Sequence, residues 1–331
     1  MFNLLIDKEV LSQIIFSKKY EIFIVESSGL KIENNGSKPI LRITSFDGVE
    51  KLHDLILMVL KDSIQKFYRR EEKRKTMDYI EVEPLNIKKH SAMFPEDNEI
   101  IIKIPKKLTN DIIEVTNQLN EYNKGNFPGE WEKWDSSFIV HFDNHLYTPL
   151  IIWRKNKEEI KSIPVRLNKG ETKFVSDLRK FLNRNKNSLG SIDIFLLRNL
   201  SRRGIGFFLS SGFYPDFIIW VKNENKQHMI FVDPKGIRNL GNFNDDKIQL
   251  CVSYIEEIEK NVNEKLKEKA ESITLTLDAF IISVSSYDDI KTTFGEGKCT
   301  REDFEKHNIL FQEDDTCIQK IFEKAGVVKN D

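Results

Sequence analysis

The sequence predicts an α/β protein: a mixed β-sheet flanked by helices over the C-terminal half, preceded by an α+β accessory region. Two observations carry this. Beyond residue 150, β-prone apolar runs alternate with amphipathic helical stretches, the order in which a sheet is covered by helices. The composition, 40% hydrophobic against 31% charged, excludes a disordered chain and gives 331 residues enough apolar surface for one large domain or two ordinary ones. The expected division is an accessory region over 1–149 and a sheet domain over 150–331.

The elements follow in order. "GVEKLHDLILMVLKDSIQKFYRREEKRK" (48–75) reads as a helix, with Leu52, Leu55, Ile56, Val59, Leu60, Ile64 and Phe67 at helical spacing. Its end, 69–75, is a dense charge run, read as a solvated helix end or a phosphate contact. "DYIEVEPLNI" and "NEIIIKIPKKL" read as strands. "TNDIIEVTNQLNEYNKG" reads as an amphipathic helix capped by Thr109 or Asn110. "NKGNFPGEWEKWD" reads as a loop or domain edge, and "SSFIVHFDNHLYTPLIIW" as one or two strands. After residue 150 come a helix (171–185), strands (191–197, 213–221, 227–233), a long helix (245–269) and a strand (277–285).

Several function classes fall away. A formal net charge of -1 supplies no global field toward nucleic acid or membrane, so any anion site must come from local clustering. Cys251, Cys299 and Cys317 are widely spaced and include no C-x-x-C pair, which speaks for a reducing compartment and against structural zinc. "MFNLLIDKEVLSQIIF" lacks the features of a secretory signal, and no apolar run approaches the length of a membrane span. The expectation is a soluble, cytoplasmic protein with no membrane partner.

The stretch "SSGFYPDFIIWVKNENKQHMIFVDPKGIRNL" (210–240) concentrates the chemistry. Two apolar runs flank a polar turn, with Asp216 and Asp233 at their outer ends. In a hairpin that pairs Val221 with His228, Asp216 falls opposite Asp233, and directly opposed residues share one face about 5 Å apart. Two carboxylates that close repel unless a cation lies between them. Mg²⁺ suits such a seat, since it takes hard oxygen ligands, often one or two carboxylates with waters. The carbonyl of Pro234 offers a further oxygen, and Lys235 has the parity of Asp233, so its ammonium points to the same side. Asp216 could equally open a strand, and "DPKG" is also good turn chemistry.

"GFYPDFIIWV" followed by "HMIFVDPKG" resembles the core of the PD-(D/E)XK nuclease superfamily. More narrowly it is similar to the C-terminal nuclease domain of type III restriction enzyme restriction subunits and related helicase–nuclease defence proteins. The likeness extends through "LNKGETKFVSDLRKFL", "IFLLRNLSRRGIGFF" and "FDNHLYTPLIIW", and is diffuse in the N-terminal third. It implies a restriction-endonuclease-like core, metal ligation by Asp216 and Asp233, and a catalytic role for Lys235. It implies an acidic residue on the preceding helix, where Glu171 stands on the same face as Phe174; Asn168 and Glu171 also fit a capping box. Lys247, at the start of the next helix, becomes a candidate phosphate or water contact. Gln249 and Tyr254 resemble a Q-x-x-x-Y element with one residue too many. Basic residues gather around the motif, with Arg202 and Arg203 the DNA-facing candidates.

Two other patterns have structural explanations. His141, Asp143 and His145 could face one way on a strand, but the stretch matches a structural segment of the resembled family. "GEGKCT" (295–300) mimics part of a phosphate loop, yet Thr292 stands where the first glycine is required. The expected function is Mg²⁺-dependent endonucleolytic hydrolysis of DNA (Mn²⁺ substituting), in restriction or antiviral defence, working with a helicase/ATPase motor that is either another domain of a larger protein or a separate subunit. The alternative is a catalytically silent DNA-binding or scaffolding subunit.

Overall fold

The computed structural model describes residues 2–5, 30–35, 38–50, single positions and short runs between 52 and 94, and 101–125. It continues with 139–140, 145–146, 150–151, 159–190, 192–207, 213–223, 226–269 and 271–328. The chain divides into two compact units, Met1–Asp78 and Tyr79–Asp331.

The first unit holds a three-stranded antiparallel sheet in the order β1-β3-β2, from β1 (Phe2–Leu5), β2 (Leu30–Asn35) and β3 (Lys38–Ile43). Helix α1 follows, with every described residue between 46 and 71 helical. It buries Gly48 and Leu52, while Leu57, Leu60, Ile64 and Phe67 stand about half exposed.

In the second unit β4 (Ile101–Lys103) pairs antiparallel with β7 (Lys161–Ile163), and β5 (Ile139–Val140) with β6 (Leu150–Ile151). The sequence reading set its boundary near residue 150; the β4–β7 pairing runs across that point. Helix α2 (Thr109–Asn123) already includes Thr109 and Asn110, so neither is the flanking cap. The "DYIEVEPLNI" and "NKGNFPGEWEKWD" readings lie almost wholly outside the described residues.

The main sheet has five strands in the order β12-β11-β10-β9-β8. β8 (Asp193–Arg198), β9 (Phe217–Asn223) and β10 (Lys226–Lys235) run antiparallel, while β11 (Thr274–Ser283) and β12 (Ile309–Phe311) add in parallel to β10. The expected mixed sheet flanked by helices is present. Its strands read as near-continuous apolar runs because helices cover both faces. On one face α3 (Lys169–Arg184) and α5 (Cys317–Lys324) pack Phe174, Val175, Leu178, Ile321 and Phe322 against Phe217, Ile219, Ile230 and Val232. On the other, Ile248, Cys251 and Ile255 meet Leu197, Ile218, Phe231 and Ile281. The alternation of Phe217/Ile218 and Ile230/Phe231 between the two clusters is the period-2 signature of a strand buried on both sides.

The long helix expected over 245–269 has three parts: a turn capped by Asp245 (Asp246–Gln249), one stretch of π-helix (Leu250–Tyr254), and α4 (Ile255–Glu268). At this π-helical stretch the Cys251 carbonyl accepts a hydrogen bond from Asn308 Nδ2 at 2.6 Å. Among the described residues no helix is long and apolar enough to cross a membrane.

Candidate active site

The β9–β10 register runs from Val221↔His228 to Phe217↔Val232, and the next step outward opposes Asp216 and Asp233. Ile218 and Phe231 face the α4 side, so Asp216 and Asp233, two positions away on each strand, have that parity, and Lys235 shares it. The two aspartates therefore sit where the antiparallel ladder has just ended. Asn199 fixes this end. Its backbone N–H donates to the Asp216 carbonyl (2.8 Å), and its amide donates to the carbonyls of Pro215 (2.8 Å) and Ile205 (2.7 Å). Its side-chain oxygen accepts from Ile205 N (2.9 Å). A Cβ at position 204 would collide with this side chain, which is why glycine stands there.

The carboxyls of Asp216 and Asp233 lie within hydrogen-bonding reach of each other. Burial, with the charges of Asp233 and Glu171 added, pushes the Asp216 carboxyl up to about 8. Lys235 Nζ lies 2.5 Å from Asp233 Oδ2. That contact is a close, buried ion pair, and it holds the ammonium beside the two carboxyls. Pro234 continues β10 in parallel register with Ile282. Lys235's carbonyl accepts from Val284 on the β11 side, so by alternation Pro234 faces the β9 side beyond the last ladder pair. The missing N–H therefore costs no sheet hydrogen bond, and the carbonyl faces the open end.

Glu171 enters from α3. It completes the capping box: Asn168 Oδ1 accepts from Glu171 N (2.9 Å), and Glu171 Oε2 accepts from Asn168 N (3.0 Å). The same oxygen lies 3.4 Å from Arg198 Nη2. Burial raises the Glu171 carboxyl, against the opposing pull of Arg198 and of the Asn168 N–H; the Asp233 charge adds to the rise. The structural and site readings of Glu171 thus coexist in one side chain.

Sequence reasoning missed the importance of Arg198 and Phe213. Arg198 ends β8 opposite Phe217, next to Asp216. Its guanidinium donates to the carbonyls of Val165 and Arg166, and its backbone N–H donates to His145 Nε2 (2.9 Å). The signal was the arginine closing the apolar run "IFLL". The buried Phe213 ring lies under two ammoniums, Lys235 Nζ at 4.8 Å from its centroid and Lys247 Nζ at 5.6 Å. Lys247 is therefore brought to the site. Arg202 lies in an exposed turn with φ 63°, and Arg203 donates to the Phe94 carbonyl at 3.2 Å.

His145 lies beside β8, bridged to Leu196, and burial with the Arg198 charge lowers its imidazole to about 3, so it is a neutral acceptor. His141 and Asp143 lie outside the described residues. Residues 294–297 form a short 3-10 turn. Gln249 precedes the π-helical stretch and Tyr254 ends it; the Gln249 amide donates to the Phe243 carbonyl at 2.8 Å.

Among the described residues no three or more His, Cys, Asp or Glu side chains form a ready-made metal cage. The seat is the aspartate pair, with Glu171 held beside it by Asn168 and Arg198. Two opposed carboxyls, with Asp216 raised by burial and by the charge of Asp233, form a hard-oxygen donor set that a divalent cation would fit. Comparisons with protein-family models, curated proteins and solved structures return no match.

Proposed function

We propose that the chain is a metal-dependent nuclease that hydrolyses phosphodiester bonds in DNA, with Mg²⁺ as cofactor and Mn²⁺ as a substitute. The observation that carries this reading is the meeting of Asp216, Asp233 and the Lys235 ammonium at one end of a buried sheet. Asp216 and Asp233 hold the cation, the Pro234 carbonyl is available on the same open side, and Glu171 stands by as a further acidic group. Bound Mg²⁺ supplies a Lewis acid that lowers the pKa of water and offsets charge developing on phosphorus. Lys235 donates to the attacking water or to the phosphate oxygen that gains charge, at a point where burial keeps the field strong. Lys247, which shares the Phe213 ring with Lys235, binds a phosphate. Arg198 positions Glu171. DNA as the substrate, a role in restriction or antiviral defence, and a helicase/ATPase partner rest on the resemblance noted above.

The test is cleavage of supercoiled plasmid with Mg²⁺ and with chelator. The expected result is metal-dependent nicking or linearisation by the wild type. Asp233→Ala and Lys235→Ala should each lose at least about 100-fold, the scale on which removing one pre-organised electrostatic group acts. Undiminished cleavage in both variants sinks the assignment. DNA binding without any wild-type cleavage favours a silent binding subunit.

A further inference from the structure

We infer that α1 pairs with α1 of a second copy of this chain, antiparallel, through an apolar stripe on its exposed side. The stripe consists of Phe46, Val49, Leu57, Leu60, Ile64 and Phe67, exposed by 92%, 48%, 50%, 48%, 53% and 56%. At about 100° per residue these six fall within an arc of about 80°. The buried Gly48 and Leu52 lie outside that arc, on the adjoining side. Together the two faces exceed the roughly 100° stripe that a helix covering one core requires. The exposed one is a contiguous apolar patch of the order of several hundred Å², the kind that marks an interaction surface.

Spacing and charge name the partner. Four of the six stripe residues, Phe46 with Phe67 and Val49 with Ile64, are related by symmetry about the midpoint between residues 56 and 57. A two-fold axis there sets Phe46 against Phe67 of the second copy, Val49 against Ile64, and His53 against Leu60. That is the isologous arrangement of a two-fold dimer, with apolar residues meeting at the three- and four-residue steps of a helix-pair seam. Charge agrees. Residues 46–56 carry Asp47, Glu50 and Asp54 against Lys51, while residues 57–71 carry Lys61, Lys66, Arg69 and Arg70 against Asp62 and Glu71. Antiparallel pairing sets the acidic half on the basic half; parallel pairing sets like on like. The exposed Glu50 and Lys61 lie on the same shoulder of the stripe, where an antiparallel pair brings them together across the seam.

The test uses the full chain. Sedimentation or light scattering across the micromolar range should give a dimer. Leu60→Glu with Ile64→Glu should raise its dissociation constant more than about 100-fold, because two charges then enter an apolar seam, with the helical circular dichroism unchanged. A second measurement fixes the orientation independently of that variant. In a Cys299→Ser background, chains carrying Val49→Cys and chains carrying Ile64→Cys should cross-link when mixed under mild oxidation, and neither should cross-link with itself. A monomer at every concentration overturns the inference. So does a dimer indifferent to the glutamates, or self-linking by Val49→Cys alone.

Discussion

The raised Asp216 carboxyl makes a prediction about stability: replacing the acid with its neutral amide removes a loss of stability that the metal-free protein suffers as pH rises. With its carboxyl at about 8, Asp216 is protonated in the fold and ionised in the unfolded chain at every pH between about 4 and 8. The unfolded state then binds one proton fewer, so stability falls as pH rises, by about 1.4 kcal/mol per pH unit for one full proton. The contribution is complete below the unfolded pKa and is gone once pH passes 8. His145 works the other way. Its imidazole is neutral in the fold down to about 3, while the unfolded chain takes up a proton below its ordinary 6.5, so this residue's contribution is lost as pH falls from 6.5. Between pH 4 and 6.5 the two slopes oppose each other. From 6.5 to 8, of these two groups, Asp216 alone titrates, and the wild type loses about 2 kcal/mol over that window.

Asp216→Asn keeps the shape of the protonated acid and cannot ionise. In chelator, urea unfolding at pH 6.5 and at pH 8 should give the wild type a loss of about 2 kcal/mol and the variant almost none. Mg²⁺ at 100 times its dissociation constant should then restore about 2.7 kcal/mol to the wild type at pH 8 and little to the variant. Equal slopes in the two proteins between pH 6.5 and 8 would refute the account of an Asp216 carboxyl raised by burial and by Asp233.

Three further outcomes are expected. Glu171→Gln retains the capping box, since glutamine also reaches the cap N–H, so its melting temperature stays near that of the wild type while plasmid cleavage falls; Glu171→Ala also loses about 1 kcal/mol in denaturant titration. Gly204→Ala drives a Cβ into Asn199 and loosens Asp216, costing about 1–3 kcal/mol by urea unfolding and lowering cleavage together. Phe213→Tyr keeps the ring under Lys235 and Lys247 and holds activity within a few-fold, whereas Phe213→Leu raises the KM for DNA and sharpens its dependence on salt.

The strand ends were legible because a hairpin's register follows from where its turn lies. The polar stretch after Val221 leaves one pairing that keeps both apolar faces buried, and that pairing carries Asp216 opposite Asp233. The capping box at Asn168 and Glu171 was legible for a similar reason: its partners are three residues apart. The rest of the site depends on contacts distant in sequence. Arg198 reaches Glu171 across 27 positions, and its amide is held by His145 across 53, so no local spacing encodes either. Asn199 resembles any polar residue after a strand until the fold brings Pro215 and Ile205 to its amide. β12 and α5 went unread because each is short and draws its stability from packing, β12 against β11 and Ile321 and Phe322 in the core of α3.

Placing like charges at the edge of a core is unfavourable, and the fold shows where the compensation lies. Asp216 and Asp233 stand one step beyond the last β9–β10 pair, so the sheet fixes their backbones without occupying the space between their side chains. On one side α3 packs Phe174 against Phe217 at 4.9 Å, immediately next to Asp216. On the other, Phe231 and Ile218 lie two positions inside the aspartates. Apolar burial on both faces thus holds the carboxyls together against their repulsion, and the same burial raises Asp216. A cation bound between them would release that strain, so the site is best matched to a charge it must acquire. Arg198 and Lys235 answer part of the negative charge and leave the remainder between the two aspartates. That leftover charge, set among rigid strands, is what the proposed divalent ion would neutralise at this strand end.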